Sequence, residues 1–110
     1  MDKLEQYREI IQAFLKEYSD RRSNEEIDSQ CIFDLQRDHY QVVNVGWSNR
    51  RRVYGCVMHL DLKDGKVWIQ YNGTEIDIGK ELVDRGIPKS DIVLGFQPPH
   101  RRPFTDYAVG

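Results

Sequence analysis

The stretch VYGCVMHLDLKDGKVWIQY, residues 53–71, decides the fold of this chain. Two runs of alternating apolar residues flank Asp64-Gly65, a dipeptide that favours a type I′ turn because both central residues of that turn need a positive φ. A shift of one residue would exchange the two faces of this hairpin, so the apolar pattern predicts a single register. Counting outward from the turn places apolar residues opposite one another on one face: Leu62 with Val67, Leu60 with Ile69, and Met58 with Tyr71.

Two helices are predicted from apolar spacing and from their end signals. Residues 2–19 carry apolar side chains at helical spacing, and Asp2 and Glu5 stand at capping-box spacing at the start. A second capping box, Thr74 with Asp77, predicts a helix over residues 75–85. Gly86 is expected to end that helix in a left-handed conformation, with Pro88 preventing its continuation.

Two more strands, at residues 27–36 and 40–48, are predicted to precede the hairpin. A three-residue connection, 37–39, with a left-handed Asp38 or His39, would put their apolar residues on one face. Residues 48–51 would then join the second and third strands. The predicted apolar face of the first three strands contains one set of residues from each strand: Cys31, Phe33 and Leu35; Val43, Val45 and Trp47; and Tyr54, Cys56, Met58, Leu60 and Leu62.

The sequence therefore predicts a single α+β domain over residues 1–110. It comprises an N-terminal helix, a four-stranded antiparallel meander, a second helix and a short C-terminal strand or tail, with both helices on one face of the sheet. The short strand is expected at residues 92–96, and the mixed basic and aromatic tail runs from residue 100 to residue 110.

Composition argues against several classes of function. The formal net charge of −2 disfavours a protein that binds nucleic acid mainly through overall charge. Cys31 and Cys56 lie in strand-like runs and are expected to be reduced core residues. No leader or spanning apolar run is present, so a cytoplasmic protein without membrane contact is expected. No phosphate-binding glycine loop or metal-ligand spacing of histidines occurs, so neither cofactor nor metal is predicted.

The second face of the predicted sheet mixes polar and aromatic side chains. Two compatible interpretations stay open, because the C-terminal tail could cover this face with Phe96, Phe104 and Tyr107, or a protein partner could bind it. The candidate interface residues are Tyr40, Val57, His59, Trp68 and Gln70. His59 near Asp61 could serve as a general base, but no nucleophile stands beside the pair, so no catalytic residue is assigned.

Two basic clusters are candidates for contact with DNA or an anion. Arg50, Arg51 and Arg52 fall at the predicted turn between the second and third strands, near the expected start of the second helix. Arg101 and Arg102 form the other cluster. The alternative is that both clusters are solvated charge.

Several motifs together resemble the XisI family, the fdxN element excision controlling factors of cyanobacteria. They span most of the chain: Met1-Asp2-Lys3-Leu4 with Tyr7, Asp38-His39-Tyr40-Gln41, Asn44-Val45-Gly46-Trp47, Arg52-Val53-Tyr54-Gly55-Cys56, His59-Leu60-Asp61, Asp64-Gly65-Lys66, Trp68-Ile69-Gln70, Asn72-Gly73-Thr74-Glu75, Val93-Leu94-Gly95-Phe96, Pro98-Pro99 and Ala108-Val109-Gly110.

The resemblance implies a non-enzymatic accessory protein that acts with a recombinase. The DNA element would be excised during heterocyst differentiation, and no catalytic residue is carried over. The expected partner is an XisH-like companion factor, with a homo-oligomer as a second expectation and only indirect or weak contact with DNA.

Overall fold

A computed structural model describes residues 2–110 and contains a five-stranded sheet with two α-helices. The strand order in the sheet is β1-β2-β3-β4-β5; the first four strands are antiparallel neighbours and β5 runs parallel to β4. The predicted α+β class, the four-stranded meander and the order of the two helices along the chain are confirmed. The elements are α1 (Lys3–Arg22), β1 (Ile27–Asp34), β2 (His39–Ser48), β3 (Arg51–Lys63), β4 (Lys66–Asn72), α2 (Ile78–Asp84) and β5 (Ile92–Leu94).

The β3–β4 hairpin forms around the predicted turn. Asp64 and Gly65 both have positive φ values, 54° and 76°, as a type I′ turn requires. The two pairs nearest the turn, Leu62 with Val67 and Leu60 with Ile69, are confirmed, and these four side chains are buried.

The third predicted pair of this hairpin, Met58 with Tyr71, is wrong. The register shifts between His59 and Leu60, which leaves Gln70 as the extra residue of a β-bulge. Tyr71 therefore lies opposite His59, away from the core, and Met58 lies opposite Asn72.

The β1–β2 connection is one residue longer than predicted. Asp34 pairs with His39, so four residues, 35–38, form the turn. The Asp34 carboxylate accepts hydrogen bonds from two backbone N–H groups of the turn, and Asp38 takes the predicted left-handed conformation with φ of 60°. Because this loop has four residues rather than three, Tyr40 and Val42 face the helices. The predicted position of Val43 on the helix side is therefore wrong, although its side chain is buried.

A second bulge alters the faces of β2 and β3. Val45 lies opposite Tyr54 and Val43 opposite Cys56, as predicted, and the turn between the strands uses two residues with positive φ. Val57 has no partner on β2, however, so these pairs lie on the face away from the helices. Five residues predicted for the core face are therefore on the opposite face: Val43, Val45, Trp47, Tyr54 and Cys56.

Both helices are capped by aspartates. The Asp2 side chain accepts the N–H of Glu5 at 2.8 Å, and Asp77 accepts the N–H of Lys80 at 3.1 Å. α2 begins at Ile78 rather than at residue 75, because the Thr74 hydroxyl accepts the N–H of Ile76 in a turn before the helix.

The core lies between the helices and one face of the sheet. α2 connects β4 to the parallel strand β5, and its end follows the prediction, since Gly86 has φ of 113° and the Ile87 N–H donates to the Leu82 carbonyl. Fully buried residues of α1, α2 and the sheet meet in one cluster that includes Ile11, Leu82 and Leu60. Within residues 2–110, no helix has the length and apolar character needed to cross a membrane.

Candidate functional site

The candidate site is the sheet face that points away from α1 and α2, here called the open face. Residues opposite one another on paired strands share a face, so the register arranges the open face in rows across the sheet. The rows are Asp34-His39-Asp61-Trp68, Ile32-Gln41-His59-Tyr71, Gln30-Val43-Cys56, Asp28-Val45-Tyr54 and Trp47-Arg52.

Four large apolar or aromatic side chains stand exposed on the open face. The exposed fractions are 49 % for Ile32, 56 % for Trp47, 73 % for Tyr54 and 50 % for Tyr71. They are distributed over β1 to β4 rather than clustered on one strand. An exposed sheet face that combines Trp and Tyr with polar side chains has the composition typical of a protein–protein interface.

Two of the five predicted interface residues do not lie on this face. Tyr40 is fully buried on the helix side, and its hydroxyl donates to Asp38 at 2.8 Å. Val57 is the bulged residue of β3 and packs against the core. The four-residue β1–β2 turn places Tyr40 on the helix side, and the β3 bulge places Val57 there. The other three residues, His59, Trp68 and Gln70, lie on the open face.

The C-terminal tail covers only the β4 end of the open face. The Arg102 guanidinium lies 5.2 Å from the ring centroid of Trp68, while the Lys63 amino group lies 4.9 Å from that ring. Arg102 also donates to the backbone carbonyl of Gln97 at 3.0 Å, which ties the tail to itself. Trp68 is consequently half-buried between two cations.

The three tail aromatics that were predicted to cover the face form no buried layer over it. Phe96 and Phe104 are exposed, and Tyr107 packs against the core on the helix side, where its ring limits the space beside Gly79. The tail therefore leaves the β1, β2 and β3 part of the open face uncovered.

A polar cluster occupies the middle of the open face. The carboxylate Oδ1 of Asp61 lies 2.7 Å from Nδ1 of His39 and 2.8 Å from Nε2 of His59. Its other oxygen, Oδ2, accepts a hydrogen bond from Gln70 at 3.1 Å. The side-chain amide of Gln41 lies 3.3 Å from Nδ1 of His59. Each residue of this cluster thus has at least one polar partner.

The environment of Asp61 favours the ionised carboxylate. Burial by itself raises the pKa of Asp61, but the hydrogen bonds from His39 and His59 outweigh that effect and hold the pKa below its usual range. The side chain is only 14 % exposed, so this charge is held in a partly dry position on the sheet. Such a carboxylate can accept hydrogen bonds from imidazoles or coordinate a cation.

Sequence spacing alone does not bring His39 to this cluster. The register counted from the β2–β3 turn, with Val45 opposite Tyr54, would place His39 opposite Leu60. The bulge at Val57 moves the partner by one residue, so His39 lies opposite Asp61. A bulge that is not marked by glycine or proline gives little local sequence signal.

The two basic clusters lie far apart. Arg50 has φ of 68° in the β2–β3 turn, and Arg51 begins β3. Arg102 contacts Trp68, and Trp68 pairs with Asp61 on β3. Asp61 lies ten residues along β3 from Arg51, so at roughly 3.3 Å per residue the two clusters are about 30 Å apart. The clusters cannot act as one compact patch.

The start of α2 also lies away from the arginine turn, contrary to the prediction. β4 ends at Asn72, which pairs with Met58, seven residues short of Arg51, and α2 follows from that point. Arg52 stacks on Trp47 at 5.4 Å. Among residues 2–110, the start of α2 therefore does not lie beside the arginine turn.

Comparison with known proteins gives consistent results. A family model described as XisI protein matches residues 1–109. A crystal structure of a XisI-like protein from Anabaena variabilis ATCC 29413 is 43% identical, covers 99% of this chain and 100% of that chain, and superposes with a TM-score of 0.90. The fdxN element excision controlling factor XisI from the same organism is 36% identical over 99% of this chain and 100% of its own, with a TM-score of 0.85. Comparison with curated proteins finds no match.

Proposed function

Because this chain belongs to the XisI family, we propose that it is a non-enzymatic regulatory protein that controls site-specific excision of a DNA element by binding a protein partner. The name of one similar structure, an excision controlling factor, supports the regulatory part of this proposal. The partner is an XisH-like companion factor, and the binding surface is the open face.

The observation that carries the proposal is the exposed apolar surface of the open face. Interface cores are enriched in Trp and Tyr, and the open face exposes Trp47, Tyr54 and Tyr71 on three strands. The polar cluster around Asp61 is already hydrogen-bonded within the chain, so its burial under a partner leaves few unpaired groups. The face therefore combines an apolar contact area with a satisfied polar centre.

Co-purification with an XisH-like protein tests the proposal. A charge at Tyr54, the most exposed of the open-face aromatics, should abolish retention of the partner, so Tyr54→Arg is the test variant. Phe104→Arg is the matched control, because Phe104 is 88 % exposed but lies in the C-terminal tail and belongs to none of the strand rows that form the open face. Equal retention of the partner by both variants would contradict the proposal.

The same variants distinguish a homo-oligomer from a complex with another protein. If a second copy of the chain covers the open face, sedimentation of the purified protein alone should show a dimer that Tyr54→Arg dissociates. A monomer that gains mass only with the companion factor supports the proposed partner.

Direct binding of DNA or another anion is the second candidate function. Arg50, Arg51 and Arg52 are consecutive and exposed at one turn, which is the observation that favours it. Against it stand the net charge of −2 and the intramolecular contacts of Arg102. Salt-dependent DNA binding that is lost in Arg50→Ala/Arg51→Ala, but kept in the charge-matched Arg21→Ala/Arg22→Ala, would support this candidate. Absence of such binding would remove it.

A further inference from the structure

Three potential metal ligands converge on the open face. His39 on β2 and His59 and Asp61 on β3 each offer one ligand atom, and these atoms all lie within 4.8 Å of one another. Two adjacent strands of a four-stranded meander hold them, so their backbone positions are set by the sheet register rather than by a loop. This rigidity is a property that a specific metal site requires.

From this geometry we propose that His39, His59 and Asp61 form a binding site for a divalent transition-metal ion of the Zn²⁺ type. Two imidazole nitrogens and one carboxylate oxygen match the ligand preference of Zn²⁺ and its neighbours, whereas Mg²⁺ and Ca²⁺ prefer oxygen ligands alone. Three protein ligands leave one coordination position open, as in zinc sites that bind an exogenous group.

Small movements convert the present hydrogen-bonded cluster into a coordinating one. Neighbouring ligand atoms around a tetrahedral ion with bonds of ~2.1 Å lie roughly 3.4 Å apart. The Asp61 oxygen now lies 2.7 Å and 2.8 Å from the two imidazole nitrogens, so these distances must widen by about 0.7 Å and about 0.6 Å. Rotation of the carboxylate about its terminal torsion supplies movements of this size, because that torsion is broad. The ion would replace the hydrogen bonds that now join these atoms.

The cluster also has the outer hydrogen bonds that metal ligands need. Gln70 donates to the free oxygen of Asp61, which orients the carboxylate. The Gln41 side-chain amide lies 3.3 Å from Nδ1 of His59. If the amide is rotated, its carbonyl oxygen can accept a hydrogen bond from Nδ1–H, which leaves Nε2 of His59 to bind the ion. Gln41 and Gln70 therefore help to orient the His59 imidazole and the Asp61 carboxylate.

Space for an exogenous ligand adjoins the two histidines. A shallow cavity of about 320 Å³ is lined by Ile32, His39, Gln41 and His59, together with Phe33 and Asp34. His39 is 53 % exposed, so solvent reaches the cluster beside this cavity. A water molecule or a donor group of a bound protein can occupy that position.

Binding of Co²⁺ and Zn²⁺ to the full chain, free of any histidine tag, tests the proposal. The wild-type protein should bind one equivalent of Zn²⁺ by calorimetry, and Co²⁺ should give the intense visible bands of a low-coordinate site. His59→Ala and Asp61→Asn should each weaken Zn²⁺ binding by at least about tenfold, as loss of a ligand or its support does. Mg²⁺ should give no heat and should not displace Co²⁺.

The third histidine provides the matched control. His100 is exposed in the tail, outside the cluster, so His100→Ala should keep wild-type affinity. If His100→Ala weakens binding as much as His59→Ala, or if the wild type binds no Zn²⁺, the proposal is wrong. His59→Gln, which is polar and similar in size, serves if the alanine variant fails to fold, and the same loss of affinity is expected. These measurements need no partner, so their outcome is separate from that of the proposed partner binding.

Discussion

Replacing Leu60 with alanine tests, through the loss of stability, whether the sheet register places this side chain in the core. Leu60 is fully buried, and its cross-strand neighbours Tyr40 and Ile69 are 0% and 1% exposed. Leu→Ala changes in cores cost about 2–5 kcal/mol, and the cost is larger where the surrounding structure cannot collapse into the cavity. Because both neighbours are held in paired strands, we expect a loss of about 3–4 kcal/mol, which corresponds to a decrease in Tm on the order of 12–16 °C for a chain of this length.

Urea unfolding followed by circular dichroism gives the free energy of unfolding for each variant. The control is Leu35→Ala, which makes the same chemical change at a side chain that is 55% exposed in the β1–β2 turn and should cost less than about 0.5 kcal/mol. A loss below about 1 kcal/mol for Leu60→Ala, or equal losses for the two variants, would refute the placement of the two leucines.

Three further changes test individual turns, ion pairs and caps. Gly65→Ala should destabilise the protein by about 1–2 kcal/mol because φ is 76°, whereas Gly55→Ala, with open space around its Cβ position, should cost less in the same urea assay. Asp38→Asn removes the ion pair to α1 that lowers the pKa of this carboxyl. That stabilisation is fully present above about 3.9, the pKa of this carboxyl in the unfolded chain, and it is lost as the pH falls through the lower pKa of the folded state. The variant should therefore be less stable than wild type at pH 7 and should lose less stability on acidification. Asp77→Ala should cost about 1 kcal/mol through loss of the α2 cap, and no change in stability would contradict the assigned helix start.

The sequence predicts most clearly what is fixed by local backbone chemistry. Asp64-Gly65 requires a specific turn, and the β3–β4 register follows from it as far as Leu60. Asp2 and Gly86 likewise mark helix ends through capping geometry that needs only nearby residues. These features need no information about distant contacts.

The faces of β1 and β2 depend on tertiary contacts that the local pattern does not reveal. The four-residue turn is held by Asp38, whose carboxylate binds Arg8 of α1, thirty residues away in sequence. The alternation of β2 fits either face, since Tyr40 and Val42 are as apolar as Val43 and Val45. The length of the β1–β2 loop decides between the two faces. The predicted three-residue loop would turn Val43 and Val45 toward the helices, whereas the observed four-residue loop turns Tyr40 and Val42 toward them.

The candidate site was only partly predictable for the same reason. His59, Asp61 and Gln70 follow from the hairpin, but the partnership with His39 depends on the bulge at Val57. The exposure of Tyr54 could be assigned only after the β2 face was known, because the two residues of the pair Val45–Tyr54 change face together.

Protection of a single cysteine on the open face tests the central claim that a partner binds there. Cys31 and Cys56 are half-buried free thiols, so both are first replaced by serine, and one new cysteine is introduced in place of Tyr54 or Phe104. Adding the XisH-like protein should slow maleimide labelling in the Tyr54→Cys chain and leave labelling of the Phe104→Cys chain unchanged. Unchanged labelling at position 54 in a complex that has demonstrably formed would contradict the account.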